Sequence, residues 1–170
     1  MNEKFYLIKH NELDEKMLKE IISLKNQYWV YPYESQKRWI NENFENDDFH
    51  LLMALDGDFV AYLSISHVEI KLDGEKNDML GIGSVCVKRE CAGKGFGKAI
   101  VSKANDIIRE YNSIGVLLCH DALVAFYRRC GWNLINYNIA ILDGQRYNDN
   151  IMLLSDVESV VDSIDINKNF

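Results

Sequence analysis

Apolar and polar positions along the chain follow two periods, and turn signals cut it into short elements. Phe5, Leu7 and Ile8 within Lys4–Lys9 predict a first strand. Leu13, Met17, Ile21, Leu24 and Tyr28 recur at three and four, which predicts an amphipathic helix over Leu13–Tyr28 with Asn11 as its N-cap. Pro32 cannot continue that helix, so a second one is expected from near Ser35, turning Trp39, Ile40 and Phe44 inward. Phe49–Leu55 and Phe59–Val68 read as strands joined at Asp56-Gly57-Asp58, and the turn Asp73-Gly74-Glu75-Lys76 leads into a strand over Met79–Val87. Along that strand Ile82, Ser84 and Cys86 are expected on one face, with Gly83, Val85 and Val87 on the other. A helix over Phe96–Tyr111 puts Phe96, Ile100, Ala104, Ile107 or Ile108, and Tyr111 on one side.

The remainder continues in the same style. Gly115–Cys119 is apolar throughout, as for a strand buried on both faces. A helix capped by Asp121 follows and stops at Gly131. Trp132–Leu142 and Tyr147–Leu154 form a hairpin around Asp143-Gly144-Gln145, and Asp156–Phe170 is acidic and weakly patterned, expected as a loose tail or short helix. No repeat and no second domain are evident, so residues 1–155 are expected as a single domain and 156–170 as an acidic C-terminal tail. Strands and helices in this order predict the α+β class with a mixed sheet.

Composition adds limits. A 170-residue chain buries roughly 70% of its unfolded surface, enough for one core without staples. The net charge of −7 leaves no basic stripe for nucleic acid and disfavours membrane surfaces. No run of 18 apolar residues and no signal-like N-terminus occur, which points to the cytoplasm. Cys86, Cys91, Cys119 and Cys130 lack metal or redox spacing and are expected as inert thiols, with no metal site.

The stretch with the most chemistry is Val85–Val101. Here an apolar strand (Val85, Cys86, Val87) runs through Lys88–Ala92 into Gly93-Lys94-Gly95-Phe96-Gly97-Lys98 at a helix start. Glycines at alternate positions allow close approach of a ligand to the backbone, and the first N–H groups of a helix lack intrahelical partners, so an anion such as a pyrophosphate fits. The P-loop spacing fails, since Lys98 is followed by Ala99, and the dinucleotide fingerprint fails, since the loop is Gly-x-Gly-x-Gly. The competing reading is a glycine-rich turn that only starts a helix.

Val87, Ala92, Gly95 and Gly97, followed by Tyr127-Arg128-Arg129-Cys130-Gly131-Trp132, resemble motifs A and B of the GCN5-related N-acetyltransferase family over Met79–Trp132. The layout is most like that of the aminoglycoside 2'-N-acetyltransferases, although Gly83 and Leu118 depart from them at the acceptor site. The resemblance implies a mostly antiparallel twisted sheet that splays between its two central strands, and acetyl-CoA as acyl donor, bound by Val85, Cys86, Val87, Ala92, Gly93, Lys94, Gly95, Phe96, Gly97 and Lys98. Ala92 stands where the family has Arg or Gln beside the pyrophosphate. It further implies direct acetyl transfer to the amine of a small molecule, with Tyr127 protonating the departing thiolate. On the strand before the loop, where the family often has a base carboxylate, this chain carries Gly83 and Ser84, so a water relayed to His120, Asp121 or Glu69 is expected as base. Trp29, Tyr31 and Tyr33, with Gly83, Ser84 and Leu118, are the acceptor-site candidates, and a homodimer is an open option. A module of the same fold that binds acyl-CoA without turnover is the alternative.

Overall fold

The computed structural model describes residues 2–170. Four α-helices among them accompany a mostly antiparallel sheet, the α+β class expected. The chain forms two compact units, Met1–Ser66 with Gly83–Ala104, and His67–Ile82 with Asn105–Phe170.

In the first unit, β1 (Glu3–Lys9), β2 (Phe49–Leu55) and the leading half of β3 (Asp58–Leu72) form an antiparallel meander. The β2–β3 turn has Asp56 and Gly57 both at positive φ, 50° and 96°, the geometry that matches the right-handed twist of the flanking strands. Helix α1 (Glu15–Lys25) is capped by Asp14, whose carboxylate accepts from the Met17 N–H at 2.8 Å. Asn11, the expected cap, instead lies in the 3-10 turn His10–Glu12, because the chain first hydrogen-bonds back to the segment ahead of β2 through His10 N to Asp48 O. Helix α2 (Tyr33–Asn43) starts directly after Pro32. Its Ile40 is fully buried, but Trp39 is 37% exposed rather than inward, since it sits about 100° from Ile40 around the helix. Leu18, Ile21, Ile22, Leu24 and Ile40 pack with Leu52, Tyr62 and Cys86 to form the core under α1 and α2.

The second unit is built on the strand order β10-β6-β9-β5-β4-β3-β11-β7-β8. Its strands are the end of β3, the start of β4 (Glu75–Val87), β5 (Gly115–Cys119), β6 (Trp132–Asn136), β7 (Ile139–Leu142), β8 (Gln145–Tyr147), β9 (Asn150–Leu154), β10 (Ser159–Val160) and β11 (Ser163–Ile166). The long hairpin expected over Trp132–Leu154 is split. Its base, β6 with β9, pairs beside β5, whereas its tip, β7 with β8, pairs with β11. The 156–170 segment is therefore neither a loose tail nor a helix. Ile164 and Ile166 are buried against β3 and β7, and the Asp73 carboxylate accepts from the N–H groups of Asp162 and Ser163, both at 2.8 Å. Val68, Ile70, Val116, Ile135 and Ile151 share the core with them.

Helix α3 (Phe96–Glu110) buries Ile100, Val101, Ala104, Ile107 and Ile108, but Tyr111, expected on that face, lies past the helix end and is 51% exposed. Helix α4 (Asp121–Arg129) is capped by His120 without a side-chain bond. Asp121 is its first residue, not its cap, and its carboxylate accepts from Asn150 Nδ2 at 2.7 Å. Gly131, at φ +91°, ends it as expected. No helix among the described residues is long and apolar enough to cross a membrane.

Candidate functional site

The geometry begins on β4. Its parallel pairing with β5 runs from Leu80–Gly115 to Ile82–Leu117, and β4 then continues for five residues to Val87. Ser84 lies in that extension at φ +51°, where the pleat breaks and the alternation expected for Ile82–Val87 does not hold. A non-glycine residue there costs of order 1–3 kcal/mol and persists only where its surroundings hold it, so the break marks a position under constraint.

After Val87 the Lys88 N–H donates to Val60 O at 2.8 Å, and a 3-10 turn over Arg89–Cys91 leads to the glycines. Gly93 and Gly95 take φ +76° and +90°, and a Cβ built on either meets nothing within 4 Å. The glycines are thus demanded by backbone conformation, and open space stands in front of them. Ala99 N donates to Gly95 O at 3.0 Å as the first bond of α3, so the N–H groups of Phe96, Gly97 and Lys98 precede the helical ladder. Ala92, Lys94 and Lys98 are exposed beside them. Backbone dipoles with two flanking ammonium groups in this arrangement can hold an anion.

The α1–α2 connection fastens onto the end of β4. The Tyr28 hydroxyl donates to Val87 O at 2.6 Å. Gln27 accepts from Arg89 twice at 2.7 Å, through its side-chain oxygen from the Arg89 N–H and through its carbonyl from Nε, and the Arg89 guanidinium stands 5.1 Å from the Tyr28 ring centre. The buried Gln36 amide donates to Asn26 Oδ1 and to Trp29 O, both at 3.0 Å, which holds Trp29 and Tyr31 at the surface, 40% and 62% exposed. Tyr33 donates to Glu15 at 2.8 Å, and Tyr31 and Tyr33 line an open cleft of about 330 Å³ with Lys19, Ile22, Ser23 and Asn26. Gly83 and Ser84 lie on the same unit: Gly83 O accepts from Ser64 Oγ at 3.0 Å, and Ser84 Oγ accepts from Lys25 Nζ at 3.3 Å.

Sequence reasoning missed Gln27, Gln36, Arg89 and above all Lys25, which is buried and has its pKa lowered to about 8 by that burial. It also missed a polar chain inside the sheet. His10 Nδ1 lies 3.1 Å from His50 Nε2, and His50 Nδ1 lies 2.8 Å from the Tyr62 hydroxyl. Burial pushes His50 down to about 3, so the ring stays neutral. The alternation of β2 could have flagged His50, a polar residue in an otherwise wholly apolar strand.

On the second unit, Tyr127 is buried against Phe126, with burial first and the neighbouring Cys119 and Cys130 next raising its pKa well above the ordinary phenol value. Its hydroxyl therefore keeps its proton through the physiological range. His120 is highly exposed and pairs with Asp149. Leu118 is half-buried on β5 opposite Ile151. Cys86 and Cys119 are buried thiols pushed up to about 12 and about 11 by burial, which suits inert packing groups.

The profile of the acetyltransferase (GNAT) family matches residues 18–132, from within α1 to Trp132 at the start of β6. Among solved structures, Escherichia coli ElaA is 20% identical, with a TM-score of 0.64 over 89% of this chain and 99% of its own. An acyl-CoA N-acyltransferase from Pseudomonas aeruginosa is 20% identical with a TM-score of 0.65 over 89% and 99%. The E. coli family member YhbS, solved with CoA, is 17% identical with a TM-score of 0.62 over 95% and 91%. At these identities the structures speak for the fold. No curated protein matches the sequence, and the aminoglycoside 2'-N-acetyltransferase layout gains no support here. The glycine cradle, the interrupted β4 strand and the profile match lead to one assignment: the chain belongs to the GCN5-related N-acetyltransferase (GNAT) family.

Proposed function

We propose that this protein transfers an acetyl group from acetyl-CoA directly to the amine of a small molecule in the cytoplasm. The observation that carries the reading is the loop ahead of α3, where left-handed Gly93 and Gly95 leave open space before the first N–H groups of a 15-residue helix. A pyrophosphate is the ligand that such donors, with Lys94 and Lys98, recognise best. Val85–Val87 would present strand backbone to the pantetheine arm.

Acyl transfer then needs three things. A neutral amine attacks the thioester carbonyl, donors stabilise the oxyanion, and the thiolate receives a proton as the C–S bond breaks. A backbone N–H of Val85 or Val87 is assigned to the oxyanion. The family resemblance assigns the last proton to Tyr127, and its raised pKa supports that role, since a phenol protonated throughout the physiological range is the acid form. The exposed aromatics Trp29 and Tyr31 beside the α1–α2 cleft suit a cationic or apolar acceptor.

Incubating the protein with acetyl-CoA and a panel of primary amines, while following free thiol, tests the reading. Amine-dependent thiol release is expected. A second reading, an acyl-CoA-binding module without turnover, is favoured by Ala92 in place of the family's Arg or Gln, and it predicts acetyl-CoA binding with no release.

A further inference from the structure

The β4 carboxylate that often serves as base in this family is absent, yet the first unit holds an amine beside the same stretch of strand. Lys25 is the last residue of α1 and only 6% exposed. Its Nζ donates to Ser84 Oγ at 3.3 Å, at the break in β4, and stands 4.6 Å from the Trp39 ring centre. No carboxylate pairs with it among the described residues.

The titratable groups coupled to it electrostatically come from β4 and β2. From β4 comes the Cys86 thiol, pushed up to about 12 by burial; from β2 comes the His50 ring, which burial keeps unprotonated and which is backed by Tyr62, by His10 and by the buried Asp48 carboxylate. Helix α2 contributes the Trp39 face. The ammonium form of Lys25 thus has a ring quadrupole and one hydroxyl to replace its hydration, and the free amine is correspondingly favoured. Ser84 and Cys86 flank Val85, the first residue of the stretch assigned above to the pantetheine arm, and Trp39 is 37% exposed.

We propose that Lys25 is the proton acceptor for the incoming amine, taking one proton from the acceptor's ammonium group so that the freed nitrogen lone pair can attack the thioester. The step balances. The acceptor's N–H⁺ bond breaks as a new N–H bond forms on Nζ. The N–C bond then forms as the C–S bond breaks, the sulfur takes the Tyr127 proton, the second amine proton restores that phenol, and Lys25 returns its own proton to water. The proposal rests on the acetyl-transfer reading.

The test joins a titration to kinetics. In protein labelled with ¹⁵N at lysine, with the Lys25 signal assigned from Lys25→Arg, Nζ should titrate near 8, well below the surface lysines, and saturating acetyl-CoA should move that resonance. Against the amine panel, Lys25→Met should lower kcat by about 10²-fold or more and erase the acidic limb of the rate profile. Lys25→Arg, which keeps the charge but cannot release a proton, should be as slow. Acetyl-CoA affinity by calorimetry should stay at the wild-type value in both variants, which also shows that they fold. A Lys25 that titrates with the surface lysines, or a Lys25→Met enzyme with the wild-type rate profile, overturns the proposal while leaving acetyl transfer intact. Failure of the wild-type protein to bind acetyl-CoA overturns the underlying reading and the proposal with it. Should acetyl-CoA bind but no amine in the panel react, a low titration midpoint with an acetyl-CoA-dependent shift supports the proposal, and the lack of either refutes it.

Discussion

Replacing Gly95 by alanine tests the backbone's proposed part in holding a pyrophosphate. The residue sits at φ +90°, and an added Cβ meets nothing within 4 Å, so the cost to folding comes from the left-handed backbone and not from a clash. That cost is about 1–2 kcal/mol, and for a chain of this size it lowers Tm by about 2–8 °C. Gly144, in the turn between β7 and β8, supplies the control, since it has φ +74° and the same open space. Gly144→Ala should cost the same stability. The two variants part on ligand binding, because the methyl at Gly95 stands where an anion would approach the start of α3. Loss of one hydrogen bond to a charged group is worth about 1.5–3 kcal/mol, which is about 10- to 150-fold in affinity. Calorimetry with acetyl-CoA, run beside thermal melts, should show Gly95→Ala weakened by that factor and Gly144→Ala unchanged at matched Tm. Wild-type affinity in Gly95→Ala, or equal losses in both variants, would refute the anion cradle.

Tyr127→Phe should lower kcat by about 10²- to 10⁴-fold while acetyl-CoA affinity is unchanged, and equal loss of both constants would make Tyr127 a binding residue. Ala92→Arg should tighten acetyl-CoA binding by about 1 kcal/mol or more through a charge-assisted contact; a weaker complex by calorimetry would mean that the loop takes another path around the pyrophosphate. Because burial holds His50 at about 3, only the unfolded chain takes up this proton as pH falls below the ordinary value of 6.5. Urea titrations should therefore show stability falling by about 2 kcal/mol between pH 7 and pH 5 from this group, and His50→Gln should flatten the slope; an unchanged slope would exclude His50 as its source. Asn105 accepts from Trp132 Nε1 at 2.9 Å and donates to Cys130 O at 2.7 Å, so Asn105→Ala orphans both. It should cost about 2–5 kcal/mol in chemical denaturation, and a loss below 1 kcal/mol would show that water replaces the amide.

Much of the architecture was legible because the forces that make single elements are local. Strands β2 and β5 begin and end where their apolar runs meet turn residues, and Gly131 stops α4 as its position after the last helical turn requires. The glycine loop was legible for the same reason, since its chemistry depends on consecutive backbone groups at one helix start. Short patterns carried less. Ile164 and Ile166 alternate around Asp165, but four residues of alternation make no strand until β3 and β7 supply the hydrogen bonds, and those partners come from far away in the chain. Lys25 marks the limit most sharply. At the end of an amphipathic helix a lysine reads as a solvated charge that complements the macrodipole, and its identity alone says nothing of its surroundings. It is Ser84, 59 residues away, together with Trp39 and Cys86, that takes water from the ammonium. The pattern of residues determined which segments become helix, strand and anion loop. Only the packing of distant segments decided which polar groups lose their solvent, and desolvation, not residue type, is what lowers the pKa of a lysine.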